Sequence, residues 1–305
     1  MFYKIDMLRA GGLKHLGPTI ACLLCAFSVA ICRAAHAAPQ LPTPYNVRLI
    51  HSVSYGPSPE EVADLCVPDM AYVSAPAIVF MHGGDWTKGA QGRFDLICQA
   101  AAQRGIVGMT IQYRLAPDNT WPAQLEDAQL AMRWLRAHAK DYKVDPSRIC
   151  SWGSSAGAHL AVFLGVAQTR PGDRANLYAD QSSKAACVVD DFGPVDLTNA
   201  GRLSNGAYRL VGSNSPDALR DASPLFLVDA HTPPMLIVQG DADPAVDRDT
   251  QSAKLFQALK QRGIPTQMLI YSGSHAFKGL SDDEKQHFQD LSIQFVLSTV
   301  GGIRF

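Results

Sequence analysis

RICSWGSSAGAHLAVFLGV, residues 148–166, decides how the rest of the chain is read. Its opening RICSW has the length of a short strand, and 156–166 carries no charge, as suits a helix buried on all sides. Between them stands Gly153-Ser154-Ser155-Ala156-Gly157, a Gly-x-Ser-x-Gly pattern. A strand that turns sharply into a helix through this pattern lifts its middle serine, Ser155, above the sheet. Small residues two places to either side let the turn close. The serine oxygen then lies at the helix N-terminus, where the backbone dipole favours developing negative charge. Five residues of this kind arise by chance; their place between strand and helix gives them meaning. Ser154 is a second hydroxyl, but it stands at an x position and not at the tip.

Outward from this turn, three more loops follow apolar stretches. AIVFM (77–81) runs into His82-Gly83-Gly84-Asp85-Trp86. Consecutive glycines let backbone N–H groups approach a substrate, and such donors stabilise an oxyanion best in a dry site. The N–H groups of Gly83, Gly84 and Ala156 are the donors so placed, and His82 is expected to brace the loop. MLIVQ (235–239) runs into Gly240-Asp241-Ala242-Asp243-Pro244-Ala245-Val246, an acid-bearing loop in which Asp241, Asp243 and the following Asp247 compete. QMLIY (267–271) runs into Gly273-Ser274-His275-Ala276-Phe277. The order serine, acid, histidine is the one expected when the serine sits on such a turn. His51 falls on an edge strand, His138 and His159 on helices, and His287 on an amphipathic helix, so His275 alone stands where a base is needed.

The same rhythm covers the chain. Strands are expected at 47–55, 61–67, 77–81, 106–112, 148–152, 186–192, 235–239 and 267–271. Helices are expected near 94–104 and at 123–140, 156–166, 251–261 and 284–297. Alternating strands and helices predict a mainly parallel sheet covered on both faces, in a single α/β domain over 38–305. The rhythm breaks at about 193–234, a stretch punctuated by Pro, Gly, Asn and Ser, which is expected to be a cap or lid shaping the substrate site.

Composition excludes several classes. Lys and Arg number 27 against 28 Asp and Glu, a formal charge of −1, which argues against a nucleic-acid partner or a polybasic membrane surface. Apolar residues make up 47 %, far from disordered composition. Lys4, Arg9 and Lys14 precede an uncharged run of 13 residues, 20–32, and Ala35-His36-Ala37 follows. This reads as a signal peptide over 1–37, too short in its apolar run to span a bilayer, with an uncleaved N-terminal anchor as the alternative. Export places the mature chain in the periplasm or outside the cell, with no membrane association after cleavage. Cys66, Cys98, Cys150 and Cys187 have no metal-ligand spacing. Disulfides are possible in an oxidising compartment, but Cys150 and Cys187 lie in apolar runs, and free buried thiols are expected.

HGGDW, QYRLAP (112–117), PAQLEDAQLAMRWLR (122–136), GSSAGAHLA, DFGPVDL (191–197), GDADPAV and SGSHAF occur in one order. In this the chain resembles α/β-hydrolases of the esterase and lipase branch related to hormone-sensitive lipase, acetyl-xylan-type esterases and kynurenine formamidase. The likeness runs over roughly residues 47–298. It implies the α/β-hydrolase fold, with Ser155 as nucleophile, His275 as general base and acid, and Asp243 as the orienting carboxylate. It assigns the oxyanion hole to Gly83, Gly84 and Ala156. It implies hydrolysis of short-chain, acetyl-like esters on small molecules or carbohydrates, without metal or organic cofactor. An amide hydrolase of the formamidase kind uses the same machinery and is the alternative; a non-catalytic binding module on this fold is a third reading. Asp85 stands where many relatives have a third glycine. A carboxylate aimed inward would repel an oxyanion, so Asp85 is expected to point away, towards Arg114.

Overall fold

The computed structural model describes residues 3–4, 44–69, 74–172 and 174–301. Apart from the backbone of a two-residue strand, β1 (Tyr3–Lys4), the leader read at 1–37 lies outside the described residues. The remaining strands are β2 (Val47–Ser54), β3 (Val62–Pro68), β4 (Ala75–Met81), β5 (Val107–Ile111), β6 (Val144–Ser154), β7 (Val188–Asp191), β8 (Met235–Gly240) and β9 (Thr266–Tyr271). The helices are α1 (Asp95–Gln103), α2 (Ala123–Ala137), α3 (Ala156–Val166), α4 (Ser204–Val211), α5 (Pro216–Asp221), α6 (Ser252–Gln261) and α7 (Asp282–Val300). One sheet runs in the order β1-β9-β8-β7-β6-β4-β5-β3-β2. The β2–β3 and β3–β5 pairs are antiparallel, and the other pairs are parallel, as the alternation predicts.

The pleat explains which helix covers which face. Along β4, Ala77, Val79 and Met81 join one apolar cluster with residues of α2, α3 and α6, while Ile78 and Phe80 join the opposite cluster with residues of α1 and α7. Successive strand residues point to opposite faces, and here both faces are covered, so β4 is buried along its length. Each fully buried Val, Ile, Met or Phe side chain there contributes about 1.5–3 kcal/mol of transfer free energy. All eleven residues of α3 are buried, as its uncharged sequence requires. The first turn of α7 is fixed by a reciprocal cap, in which the Ser281 hydroxyl accepts from the Glu284 N–H and the Glu284 carboxylate from the Ser281 N–H.

The cysteines correct the expectation of free thiols: Cys66 is bonded to Cys98 and Cys150 to Cys187. Cys66 on β3 meets Cys98 on the helix that covers it, with Cα atoms 5.9 Å apart. Cys150 on β6 faces Cys187 at the entry to β7 across 4.6 Å between Cα atoms. Loops of 32 and 37 residues closed this way stabilise the fold by roughly 3–4 kcal/mol each in the chain-entropy account.

The stretch 193–234 is strandless, as expected, and folds into α4, α5 and short 3-10 turns. Leu197, Leu203, Ala207, Leu210 and Leu219 pack there against Trp86, Ala156 and Val246, forming a third apolar cluster over the carboxyl ends of the strands.

Candidate active site

Ser155 joins β6 to α3 with φ 53° and ψ −118°, a left-handed backbone that a non-glycine residue adopts at a cost of about 1–3 kcal/mol. The flanking glycines make the turn possible. A Cβ at Gly153 would stand 2.2 Å from the carbonyl carbon of Gly157, and one at Gly157 would stand 2.0 Å from the Met81 oxygen. The Ser155 N–H donates to the Asp191 carbonyl at 2.9 Å, tying the turn to the end of β7.

Two loops bring partners to this serine. In the loop after β9, His275 lies with its Nε2 3.0 Å from Ser155 Oγ and its Nδ1 2.7 Å from Asp243 Oδ2. Since Nδ1–H donates to the carboxylate, Nε2 is left to accept from the serine hydroxyl. Ala276 and Phe277 after it both take positive φ, and the Tyr271 hydroxyl clamps the turn by donating to the Ser274 carbonyl and accepting from the Phe277 N–H. Burial by itself would raise the Asp243 carboxyl. Its bonds to His275 and to the N–H groups of Val246 and Ala245 outweigh that and hold it below the ordinary carboxylate value. Its rivals are occupied elsewhere: Asp241 accepts from the Gly273 N–H, and Asp247 from Thr250.

The glycine loop lies against the serine from the other side. A Cβ at Gly83 would stand 3.2 Å from that of Ser155, and Ala156 opens α3 directly after it. Among the described residues no backbone carbonyl accepts from the N–H groups of Gly83, Gly84 or Ala156. The His82 ring stacks on Tyr113 at 4.4 Å, and the His82 carbonyl accepts from the Tyr113 hydroxyl. Burial lowers the basicity of His82.

Two expectations fail here. Arg114 is not the partner of Asp85. It is held by the buried carboxylate of Asp127 at 2.7 Å and by Glu126 at 3.2 Å, both on α2. Asp85 instead stays on the wall of the cavity beside Ser155, its Cβ and Cγ each 3.6 Å from where a Cβ on Gly206 of α4 would stand. Nor does the 193–234 stretch shape that cavity: among the described residues, none from it lines the space of about 570 Å³ in front of Ser155 and His275. Phe94, Ile97, Phe192 and Phe277 supply the apolar wall. The cap packs behind the serine, on the far side of the glycine loop.

That rear contact involves residues whose role was missed. The buried Trp86 indole donates to His159 Nδ1 at 3.2 Å, and His159 Nε2–H donates to the Ala222 carbonyl at 2.8 Å. Burial pushes His159 down to about 4, so it stays neutral and can make both bonds at once. Asp190 and Asp191, at the end of β7, are a second pair to which the sequence gives no role. Burial pushes their carboxyls up to about 8 and about 7. Trp152 donates to Asp191 and the Gly193 N–H to Asp190, both at 2.7 Å, while the second oxygen of each is buried with no hydrogen-bond partner among the described residues. The adjacent acids at the head of DFGPVDL, Asp190 just before it and Asp191 opening it, are the available signal.

The profile of the BD-FAE family matches residues 63–259, well over half of the chain and spanning the serine turn and the acid loop. The chain belongs to the BD-FAE family. Around that core, similarity extends to Esterase LipC of Mycobacterium tuberculosis, 30% identical over 210 residues, 64% of this chain and 52% of LipC. The chain therefore spans about half the length of that curated relative. Among solved structures, a truncated carbohydrate esterase from gut microbiota superposes with a TM-score of 0.72 at 26% identity, covering 84% of this chain and 98% of that one. Esterase Est2 of the planctomycete Thermogutta terrifontis gives 0.69 at 27% identity, covering 85% and 94%, and is also described with propionate or butyrate bound and phosphorylated by paraoxon. The fold of this BD-FAE member is that of the α/β-hydrolases.

Proposed function

We propose that the chain is an exported serine esterase that cleaves short acyl, acetyl-like carboxylic esters through a covalent acyl-enzyme. One observation carries the reading: the unbroken relay from Ser155 Oγ through His275 at 3.0 Å to Asp243 at 2.7 Å. Ser155 Oγ attacks the ester carbonyl while its proton passes to His275 Nε2, and Asp243 stabilises the imidazolium that forms. The N–H groups of Gly83, Gly84 and Ala156 receive the negative charge on the carbonyl oxygen. One such donor contributes about 2.7–4 kcal/mol of transition-state stabilisation. His275 returns the proton to the departing alcohol. Water then repeats the sequence on the acyl-serine, giving the carboxylic acid and free Ser155.

The ester-cleaving reading draws support from LipC, from the gut carbohydrate esterase and from Est2, and the short-acyl reading from the propionate and butyrate complexes of Est2. Carbohydrate-borne esters join small-molecule esters as substrates on the same ground. Two disulfides suit an oxidising compartment, periplasmic or extracellular, and so favour export behind the leader read at 1–37, with 38–305 as the mature domain. The relay needs neither metal nor organic cofactor. The test is a series of p-nitrophenyl acetate, butyrate and palmitate with an N-formyl anilide alongside, on wild type and Ser155→Ala. Acetate and butyrate turnover that vanishes in Ser155→Ala is expected. Normal turnover by Ser155→Ala contradicts the mechanism, and faster cleavage of palmitate or of the formamide contradicts the substrate class.

A further inference from the structure

We propose that the rim of the Ser155 cavity recognises an anion, so that the preferred ester carries a carboxylate or similar charge on its alcohol part. This deepens the esterase reading and rests on it. Three cations stand on the cavity wall: Lys88 just after the glycine loop, Arg93 just before α1, and Lys278 in the turn after His275. All three are exposed, and none forms an ion pair with a described residue. Elsewhere Arg104, Arg114, Arg148, Arg170 and Arg174 each hold a carboxylate at 3.0 Å or closer. The whole chain is balanced at −1, so the cationic mouth is a local feature.

Two acids share the wall, Asp85 and Asp191. Burial pushes Asp191 up to about 7, so at pH 7 it carries about half a negative charge and the rim keeps a surplus of between one and two positive charges. The charge of Arg93 is felt as far in as His82, behind Gly83, where it reinforces the effect of burial. Phe94, Ile97 and Phe277 line the wall with the cations and suit a flat apolar body bearing the anion. A short acyl group must seat its carbonyl at Ser155, so the part long enough to reach the exposed rim is the alcohol. Charges exposed in this way raise local substrate concentration and capture rate, and salt screens them.

The experiment compares 3-carboxyphenyl acetate with 3-carbamoylphenyl acetate, a neutral ester of similar shape and, if anything, the better leaving group. Full-length protein is assayed at pH 7 and ionic strengths of about 0.02 M and about 0.5 M, where the screening length changes several-fold. At low salt kcat/KM for the anionic ester is expected to exceed that for the neutral one about tenfold. High salt is expected to remove most of the excess, and so is the combination Lys88→Gln, Arg93→Gln and Lys278→Gln at low salt. The wild-type salt comparison decides even where the triple variant does not fold. A low-salt ratio of one or below, or an excess that survives high salt, overturns the inference while the esterase reading stands. Cleavage of neither ester overturns both.

Discussion

Ser155 separates two regions built on opposite principles. Behind it, Trp86, His159 and Ala222 form a buried chain of hydrogen bonds, sealed by Leu197, Leu210 and Leu219 of the cap. In front of it, Lys88, Arg93 and Lys278 are exposed around an open cavity with an aromatic wall. The rear region holds the glycine loop and serine turn in strained backbone, which packing must over-determine. The front region makes few commitments and is free to meet substrate. In the proposed mechanism, rigidity sits where charge develops and openness where the substrate is to be recognised.

Substitutions should sort along this divide, and the relay at its centre should show the largest effect. Asp243→Asn keeps the shape but spoils the hydrogen bond that fixes His275 as an Nδ1–H tautomer. A fall in kcat of about 10³–10⁴ is expected in an ester assay, with the fold intact by circular dichroism. On the rear side, His159→Ala strands the buried Trp86 N–H and Ala222 carbonyl. A loss of about 2–4 kcal/mol is expected in urea unfolding, together with lower kcat. An unchanged urea midpoint would remove the brace from the account.

Asp190 and Asp191 give a pH signature with a definite sign. Their carboxyls are raised by burial to about 8 and about 7, so the folded state holds protons that the unfolded chain gives up near pH 4. Their stabilising contribution is therefore full below about pH 4 and is lost as pH rises through about 7–8. Asp243, held below its ordinary value, acts oppositely, and its contribution is lost as pH falls through the acid range. Asp191→Asn should flatten the decline in urea midpoint between pH 5 and pH 9; an equally steep decline would contradict the assignment. The smallest effect is expected at the front, where Arg93→Gln should move unfolding free energy by no more than about 0.5 kcal/mol.

What the sequence disclosed followed from how local each feature is. Alternation and glycine spacing are local, and β4, α3 and the Ser155 turn lie where the pattern places them. His275 was legible because it alone followed a strand in the right order. Asp243 is not separable from Asp241 by spacing, since both lie in one loop, and only the resemblance favours it; in the structure Asp243 accepts from His275 while Asp241 accepts from the Gly273 N–H. Features that depend on sheet order were hidden. Cys150 meets Cys187 because β6 and β7 are neighbours, and Cys66 meets Cys98 because α1 covers β3. The 193–234 stretch is legible as a break in the rhythm, but its absence from the wall of the Ser155 cavity is not, because nothing in its sequence says which face of the glycine loop Trp86 presents. The partners of Arg114 are hidden too, because the approach of Glu126 and Asp127 depends on how α2 lies against the loop after β5.

The central claim is that Ser155 is the hydroxyl that His275 and Asp243 activate. Paraoxon, which phosphorylates the similar Est2, tests it directly when the treated protein is digested and sequenced by mass spectrometry. One diethylphosphoryl group per chain is expected, on Ser155, and none on the Ser155→Ala protein. Labelling of Ser154, or equal labelling of Ser155→Ala, would contradict the account.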